Sequence, residues 1–186
     1  MKSMILTAVV AASLSTAAYA DGHATANPMV GGAEMFADKT IVENAINSAD
    51  HTTLVAAVQA AGLVDTLSSE GPFTVFAPVN DAFAALPDGT VETLLMEENK
   101  DQLVKILTCH VVAGDVMASA LMGMIADDGG VYEVATVGGC TLKAMIEDGM
   151  VKIEDESGQV ATVTIADVDQ SNGVIHVIDT VLLPAM

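Results

Sequence analysis

Four kinds of side chain in this sequence of 186 residues could do chemistry: histidine, cysteine, methionine and the carboxylates. An imidazole beside a carboxylate is the usual pair for general-base work, which makes His176 and Asp179 the first candidates. They lie in Asn172-Gly-Val-Ile-His-Val-Ile-Asp-Thr-Val-Leu-Leu-Pro184, where an Asn-Gly turn, a run of β-branched and aliphatic residues and a closing proline read as a strand. Residues an odd number of positions apart on a strand face opposite sides. His176 and Asp179 therefore do not pair, and His176 reads as scaffolding.

The other candidates resolve in similar ways. His110 follows Ile106 by one helical turn and falls on the same apolar stripe, which predicts a neutral core residue holding a backbone carbonyl. Asn80 and Asp81 could be a metal or catalytic pair, but an N-cap followed by a negative charge in the first helical turn explains both. Asp167-x-Asp169-x-Ser171 begins like a calcium loop, yet Asn172 and Ile178 stand where such loops need glycine and a bidentate glutamate. The acidic clusters Asp127-Asp128 and Glu154-Asp155-Glu156 read as solvated turns. Met117, Met122, Met124, Met145 and Met150 raise binding of monovalent copper, against the commoner role of methionine as core filler. No G-x-S-x-G, H-E-x-x-H or phosphate-cradling glycine loop is present. The expectation is a protein that is not an enzyme, without cofactor or dedicated metal; a periplasmic copper or calcium protein is the alternative.

These residues must be held by the elements around them. Thr40-Ile-Val-Glu43 is a capping box opening a helix with Ile41, Ala45 and Ile46 inward. A second helix runs from about Thr53 to Ala61, with Leu54, Ala57, Val58 and Ala61 at helical spacing and Gly62 as its stop. Leu63, Val64 and Leu67 suggest one more turn before Gly71-Pro72 breaks the chain. Phe73 to Pro78 is a short strand, and Asn80 caps the helix that follows it. Thr90 opens a short helix, and Asn99-x-x-Gln102 a longer one with Leu103, Ile106 and Leu107 inward. Val111 to Val116 reads as strand and Ala118 to Ile125 as helix. From Gly129 the pattern is β: Tyr132 to Val137, Cys140 to Ile146, Met150 to Ile153 and Gln159 to Ile165, with turns at Asp148-Gly149 and Ser157-Gly158. Asp167 to Gly173 then delivers the chain to the final strand. That strand puts Ile175, Val177, Val181 and Leu183 on one face and Val174, His176, Ile178 and Leu182 on the other. Both faces are apolar, so it belongs mid-domain. Helices first and antiparallel strands later make an α+β domain.

Composition sets the compartment. Residues 1–20 carry Lys2, an apolar run and the ending Ala18-Tyr19-Ala20, a secretory signal peptide with its cut expected before Asp21. Residues 21–36 read as a flexible leader and 37–186 as a single domain. No later stretch is a membrane span. Loss of Lys2 leaves five lysines against 25 acidic residues, a net charge of −20 with no arginine. Such a surface repels nucleic acid and anionic lipid. It also predicts like-charge repulsion between copies, relieved by salt or divalent cations, so that self-association is expected to be weak. With two cysteines in an exported chain, Cys109 and Cys140 suggest a bridge, two buried free thiols being the alternative.

Three blocks, Phe73-Thr-Val-Phe-Ala-Pro-Val-Asn-Asp-Ala-Phe83, Leu107-Thr-Cys-His-Val-Val112 and Asn172-Gly-Val-Ile-His-Val-Ile-Asp179, resemble the fasciclin-type adhesion domain in order and spacing, and the similarity extends over Thr40 to Pro184. The resemblance implies a wedge of two β-sheets with several α-helices packed on one side. It also implies work outside the cytoplasm, periplasmic or extracellular, as a module that binds a cell-surface or matrix protein or glycan. In animal relatives an Asp-Ile pair before the last Asn-Gly and a Tyr-His pair in the middle block are credited with integrin binding. Asp167-Val168 and Cys109-His110 occupy those places here. The resemblance thus offers Asp167 and Val168 as the partner-binding pair, while a cysteine in the middle block fits a bridge to Cys140 better than it fits a contact surface.

Overall fold

The computed structural model describes residues 27–185. In chain order these begin with a two-stranded ribbon, β1 (Met29–Val30) and β2 (Ala33–Glu34), followed by α1 (Ile41–Ala45), α2 (Thr52–Ala61) and α3 (Val64–Leu67). Next come β3 (Phe73–Pro78), α4 (Asn80–Ala84), α5 (Thr90–Leu94), α6 (Lys100–Cys109), β4 (Val111–Ala113) and α7 (Ala118–Asp127). The second half is β5 (Val131–Ala135), β6 (Thr141–Glu147), β7 (Met150–Glu154), β8 (Val160–Gln170) and β9 (Gly173–Ile178). The expected signal peptide and its cut lie outside the described residues.

The closing strand sits in the interior of the fold, as its two apolar faces require. All six residues of β9 are buried. It runs parallel to β3, with Val75 opposite Ile175, and antiparallel to β8. The full order is β4-β3-β9-β8-β7-β6-β5. β8 belongs to both arms: its first residues, Val160 to Thr162, pair with β7, and Val163 to Gln170 pair with β9 across two bulges. Bulges bend a strand and increase its twist, so the two sheets diverge along β8 into a wedge.

Each face of β9 feeds a separate core. Ile175, Val177 and Val181 join Val75, Leu54, Val58 and Leu107 beneath α1 to α6. Ile178 and Leu182 join Phe76, Leu142, Ile153 and the inward side chains of α7, Leu121 and Ile125. Full burial of each such aliphatic side chain is worth roughly 1.5–3 kcal/mol relative to exposure.

Local signals account for the start of α1 and the end of α2. Thr40 Oγ1 accepts from the Glu43 amide and Glu43 returns a carboxylate oxygen to the Thr40 amide, the reciprocal capping box. Those bonds hold the Glu43 pKa below the usual carboxylate value, the Thr40 amide contributing most. Gly62 ends α2 in the left-handed region at φ 73°.

Several expectations need correction. The latter part of the 21–36 leader is not free chain: β1 and β2 pair, and Val30 and Met35 enter the first core. Ile46 points to solvent at 56% exposure, while Val42 and Asn44 take the inward positions of α1. Asn44 is inside because it is saturated, accepting from the Phe36 amide and donating to the Phe36 carbonyl and to Gln170. Asn99 holds the N-cap position of α6 but its side chain makes no capping bond there; its Nδ2 donates instead to Thr93 O at 2.8 Å. Residues 167–170, read as a connecting loop, are the second half of β8.

Candidate functional site

The site residues expected from the sequence fall in three places: around a bulge of β8, beside the end of α6, and at the start of α4. At the bulge, register slips between Ile165 and Val168 leave Ala166 and Asp167 projecting from the sheet, with Asp167 at φ 55°. Asp167 is exposed, and its Oδ1 accepts the Ala118 amide at 2.6 Å, capping the first residue of α7. A carboxylate there also favours the helix dipole. Its own amide donates to Nδ1 of His176 at 3.2 Å, and His176 Nε2 donates to the Val116 carbonyl at 2.8 Å. Both ring nitrogens are therefore committed in the neutral Nε2–H form, and the ring packs against Phe76 at 5.7 Å between centroids. The imidazole is the spacer that sets the bulge and the start of α7 at a fixed distance.

Val168, the other half of the proposed contact pair, is a core residue. It is 0% exposed and packs with Ile175 and Val177. The expectation that it touches a partner is overturned: the bulge inserts residues that break the alternation of β8, turning Val168 inward beside the outward Asp167.

At the second place, Cys109 and Cys140 are bonded, with Cα atoms 5.4 Å apart and both residues buried. His110 beside them donates from Nδ1 to Ile106 O at 2.8 Å and accepts the Leu182 amide on Nε2 at 2.9 Å. Burial without an ion pair lowers its pKa to about 4, against a smaller opposing effect of the Ile106 carbonyl. His110 is thus neutral scaffolding.

Three residues named from the sequence only as turn residues, Asp155, Glu156 and Asn172, carry long-range bonds that local pattern did not announce. Residues 181–185 have no ladder, yet three of their amides are taken by side chains: Leu182 by His110, Leu183 by Asp155 Oδ2 at 2.8 Å and Ala185 by Glu156 Oε2 at 2.9 Å. Asp155, read as a solvated turn residue, is 4% exposed, and its Oδ1 also accepts from the Ser157 and Gln159 amides. Glu156 accepts the Thr141 amide as well, and these two amides hold its pKa below the ordinary value. Asn172 is a third such residue. Its Oδ1 accepts the Ile41 amide at 3.0 Å, and its Nδ2 donates to Leu67 O and Ser69 O, tying α1 and α3 to the head of β9. Gly173 follows at φ 152° against the Phe73 carbonyl, where a Cβ would collide.

Asn80 is a cap, but of a neighbouring helix. Its Oδ1 accepts the Thr53 amide at 3.0 Å at the start of α2 and its Nδ2 donates to Ala49 O at 2.8 Å, while Val79 holds the N-cap position of α4. Asp81 lies exposed in the first turn of α4. Asp179 accepts the Thr162 amide, facing away from His176.

Among the described residues, no group of three or more His, Cys, Asp or Glu side chains is placed to hold a metal ion. Asp167 and Asp169 lie on a strand rather than a coordinating loop. Met122 is exposed, and Met124 packs on the second core. The apolar cavity under α1, α2 and α3 measures about 40 Å³, well short of the roughly 150 Å³ that admits benzene. Among the described residues no helix is long and apolar enough to cross a membrane.

Comparison with known proteins adds to this geometry. The family profile described as the fasciclin domain matches residues 49–184. Protein sll1483 of Synechocystis is 57% identical over 79% of this chain and 74% of its own length. Immunogenic protein MPB70 of Mycobacterium bovis is 35% identical over 75% of this chain and 66% of its own length. Transforming growth factor-beta-induced protein ig-h3 of Sus scrofa is 38% identical over 70% of this chain, which spans 17% of that longer protein. Among solved structures, a FAS1 domain pair from the insect cell adhesion molecule fasciclin I superposes with a TM-score of 0.70 at 20% identity, covering 78% of this chain and 51% of the pair.

Proposed function

This chain belongs to the fasciclin domain family, and from that premise we propose that it is a non-catalytic binding module for a cell-surface or matrix partner, working outside the cytoplasm. The observation that carries the reading is that both nitrogens of His110 and of His176 are bonded to backbone groups of the fold, while the third buried histidine, His51, bonds Ser48 through Nδ1 and has no polar partner at Nε2 among the described residues. An imidazole so engaged is not poised to exchange protons with a substrate. The buried disulfide and the secretory signal read from the first residues support an oxidising compartment. That the structural neighbour comes from a cell adhesion molecule supports the class of function.

Asp167 is the residue of the proposed pair that can meet a partner, since it projects from the bulge with its backbone fixed by His176. A single module offers one modest site, so adhesion gains strength from many copies on a surface. The test coats beads with the protein and counts retained cells for wild type, Asp167→Ala and Asp167→Asn. The asparagine keeps the acceptor for Ala118 and tolerates positive φ, so it separates charge from folding. Attachment lost in both variants supports a contact role for the Asp167 charge; attachment unchanged in both removes Asp167 from the contact surface.

A further inference from the structure

The seven-stranded order leaves two strands at its ends, and the fold treats them differently. β4 is covered: the Val137 amide donates to Val111 O at 2.8 Å and the Gly138 amide to Thr108 O at 3.0 Å, in a loop tied down by the disulfide. β5 pairs with β6 on one side, and among the described residues no backbone group bonds to its other side. An uncovered row of amides and carbonyls is a template for one more strand.

The chemistry around this edge is specific. On the outer face a shallow hollow is lined by Asp128, Val131, Glu133, Lys143, Met145 and Glu154. Lys143 stands opposite Glu133 in the ladder, but its ammonium bonds Glu154 at 3.2 Å, and Glu133 has no ion pair among the described residues. Two carboxylates, Asp128 and Glu133, thus border an apolar floor made by Val131 and Met145. On the opposite face of β5, Val134 is buried and Tyr132 packs on the second core beside α7. A second copy is a poor occupant, because β5 against β5 would bring Glu133, Asp127 and Asp128 of two acidic chains together.

We propose that the free edge of β5 receives an extended segment of a partner protein in which basic and apolar residues alternate. Its backbone continues the sheet, its lysines or arginines lie over Val131 and Met145 against Asp128 and Glu133, and its apolar residues point toward Tyr132 and α7. Strand addition takes affinity from main-chain hydrogen bonds and specificity from alternate side chains. The inference rests on the binding-module reading and names its partner chemistry.

The test uses the full chain and a labelled peptide of about eight residues alternating Lys and Val, with two controls: a Glu-Val counterpart, and a Lys-Val peptide N-methylated at alternate residues so that charge is kept and pairing is blocked. The expected result is saturable anisotropy with the Lys-Val peptide alone, slowed amide exchange confined to β5, and roughly tenfold weaker binding by Glu133→Lys, a change at an exposed position. Equal binding of the N-methylated peptide would reduce the effect to bulk charge and overturn strand addition, as would no binding or protection elsewhere. Peptide binding as expected while cells fail to attach to coated beads would sink the adhesion reading alone. Attachment without any protection of β5 would sink this inference alone.

Discussion

His110 Nε2 accepts the Leu182 amide at 2.9 Å, so the residue that ends α6 also fastens the end of the chain, 72 positions later. Asp155 and Glu156 take the Leu183 and Ala185 amides in the same way. The C-terminal segment is held by side chains where a strand would be held by a ladder. This arrangement makes the last residues dependent on protonation states far away in sequence.

The acid limb of stability follows from His110. Its folded pKa of about 4 lies below the usual 6.5, so between those values the unfolded chain binds more protons than the folded one. The contribution is complete above about pH 6.5 and is lost as pH falls toward 4, amounting to roughly 3 kcal/mol at most. Burial lowers the His51 pKa too, adding in the same direction. Urea midpoints measured from pH 7 to pH 4 should therefore fall steadily. His110→Phe should start lower by about 1–3 kcal/mol, having stranded the Leu182 amide, and should show a flatter slope.

Asp167→Ala removes the acceptor of the Ala118 amide and places an ordinary side chain at φ 55°. The expected loss is about 1–2 kcal/mol, read from denaturant midpoints. Asp167→Asn should stay within roughly 0.5 kcal/mol of wild type, because acceptor and backbone preference both survive. An alanine variant as stable as wild type would mean that Asp167 does not cap α7.

The disulfide closes a loop of 31 positions, for which the chain-entropy relation gives roughly 3–4 kcal/mol. A Cys109→Ala, Cys140→Ala double variant should lose about that amount. Intact mass under non-reducing, denaturing conditions should show no alkylation of either sulfur; labelling of both would rule out the bridge.

Asn172 and Gly173 act as a pair with different duties. Asn172→Ala leaves the Ile41 amide and the Leu67 and Ser69 carbonyls short of a partner, at a cost of about 2–4 kcal/mol. Gly173→Ala drives a Cβ into the Phe73 carbonyl and should be worse, with poor recovery of folded protein on expression. Equal stability of Gly173→Ala and wild type would contradict the close approach of β3 and β9.

Period and capping made much of this fold legible. Leu54, Ala57, Val58 and Ala61 with Gly62 specify α2 by spacing alone, and the doubly apolar closing strand could only lie between two cores. The misses share a physical cause: each depends on a contact distant in sequence. A bulge invisible in composition turned Val168 inward, and the hydrogen bonds of Asp155 buried a carboxylate flanked by more exposed Glu154 and Glu156. Asn80 carries a capping side chain, but only the packing of α4 against α2 decides which helix it caps. The ribbon of residues 29–34 gains its order from burying Val30, which no local pattern announces.

The central claim, that this chain is an adhesive module whose interior chemistry is structural, is tested most directly by cell retention on protein-coated beads. Native protein should retain cells saturably, at levels well above beads carrying the same protein unfolded by reduction and heat. Retention no greater than on the unfolded coating would contradict the account.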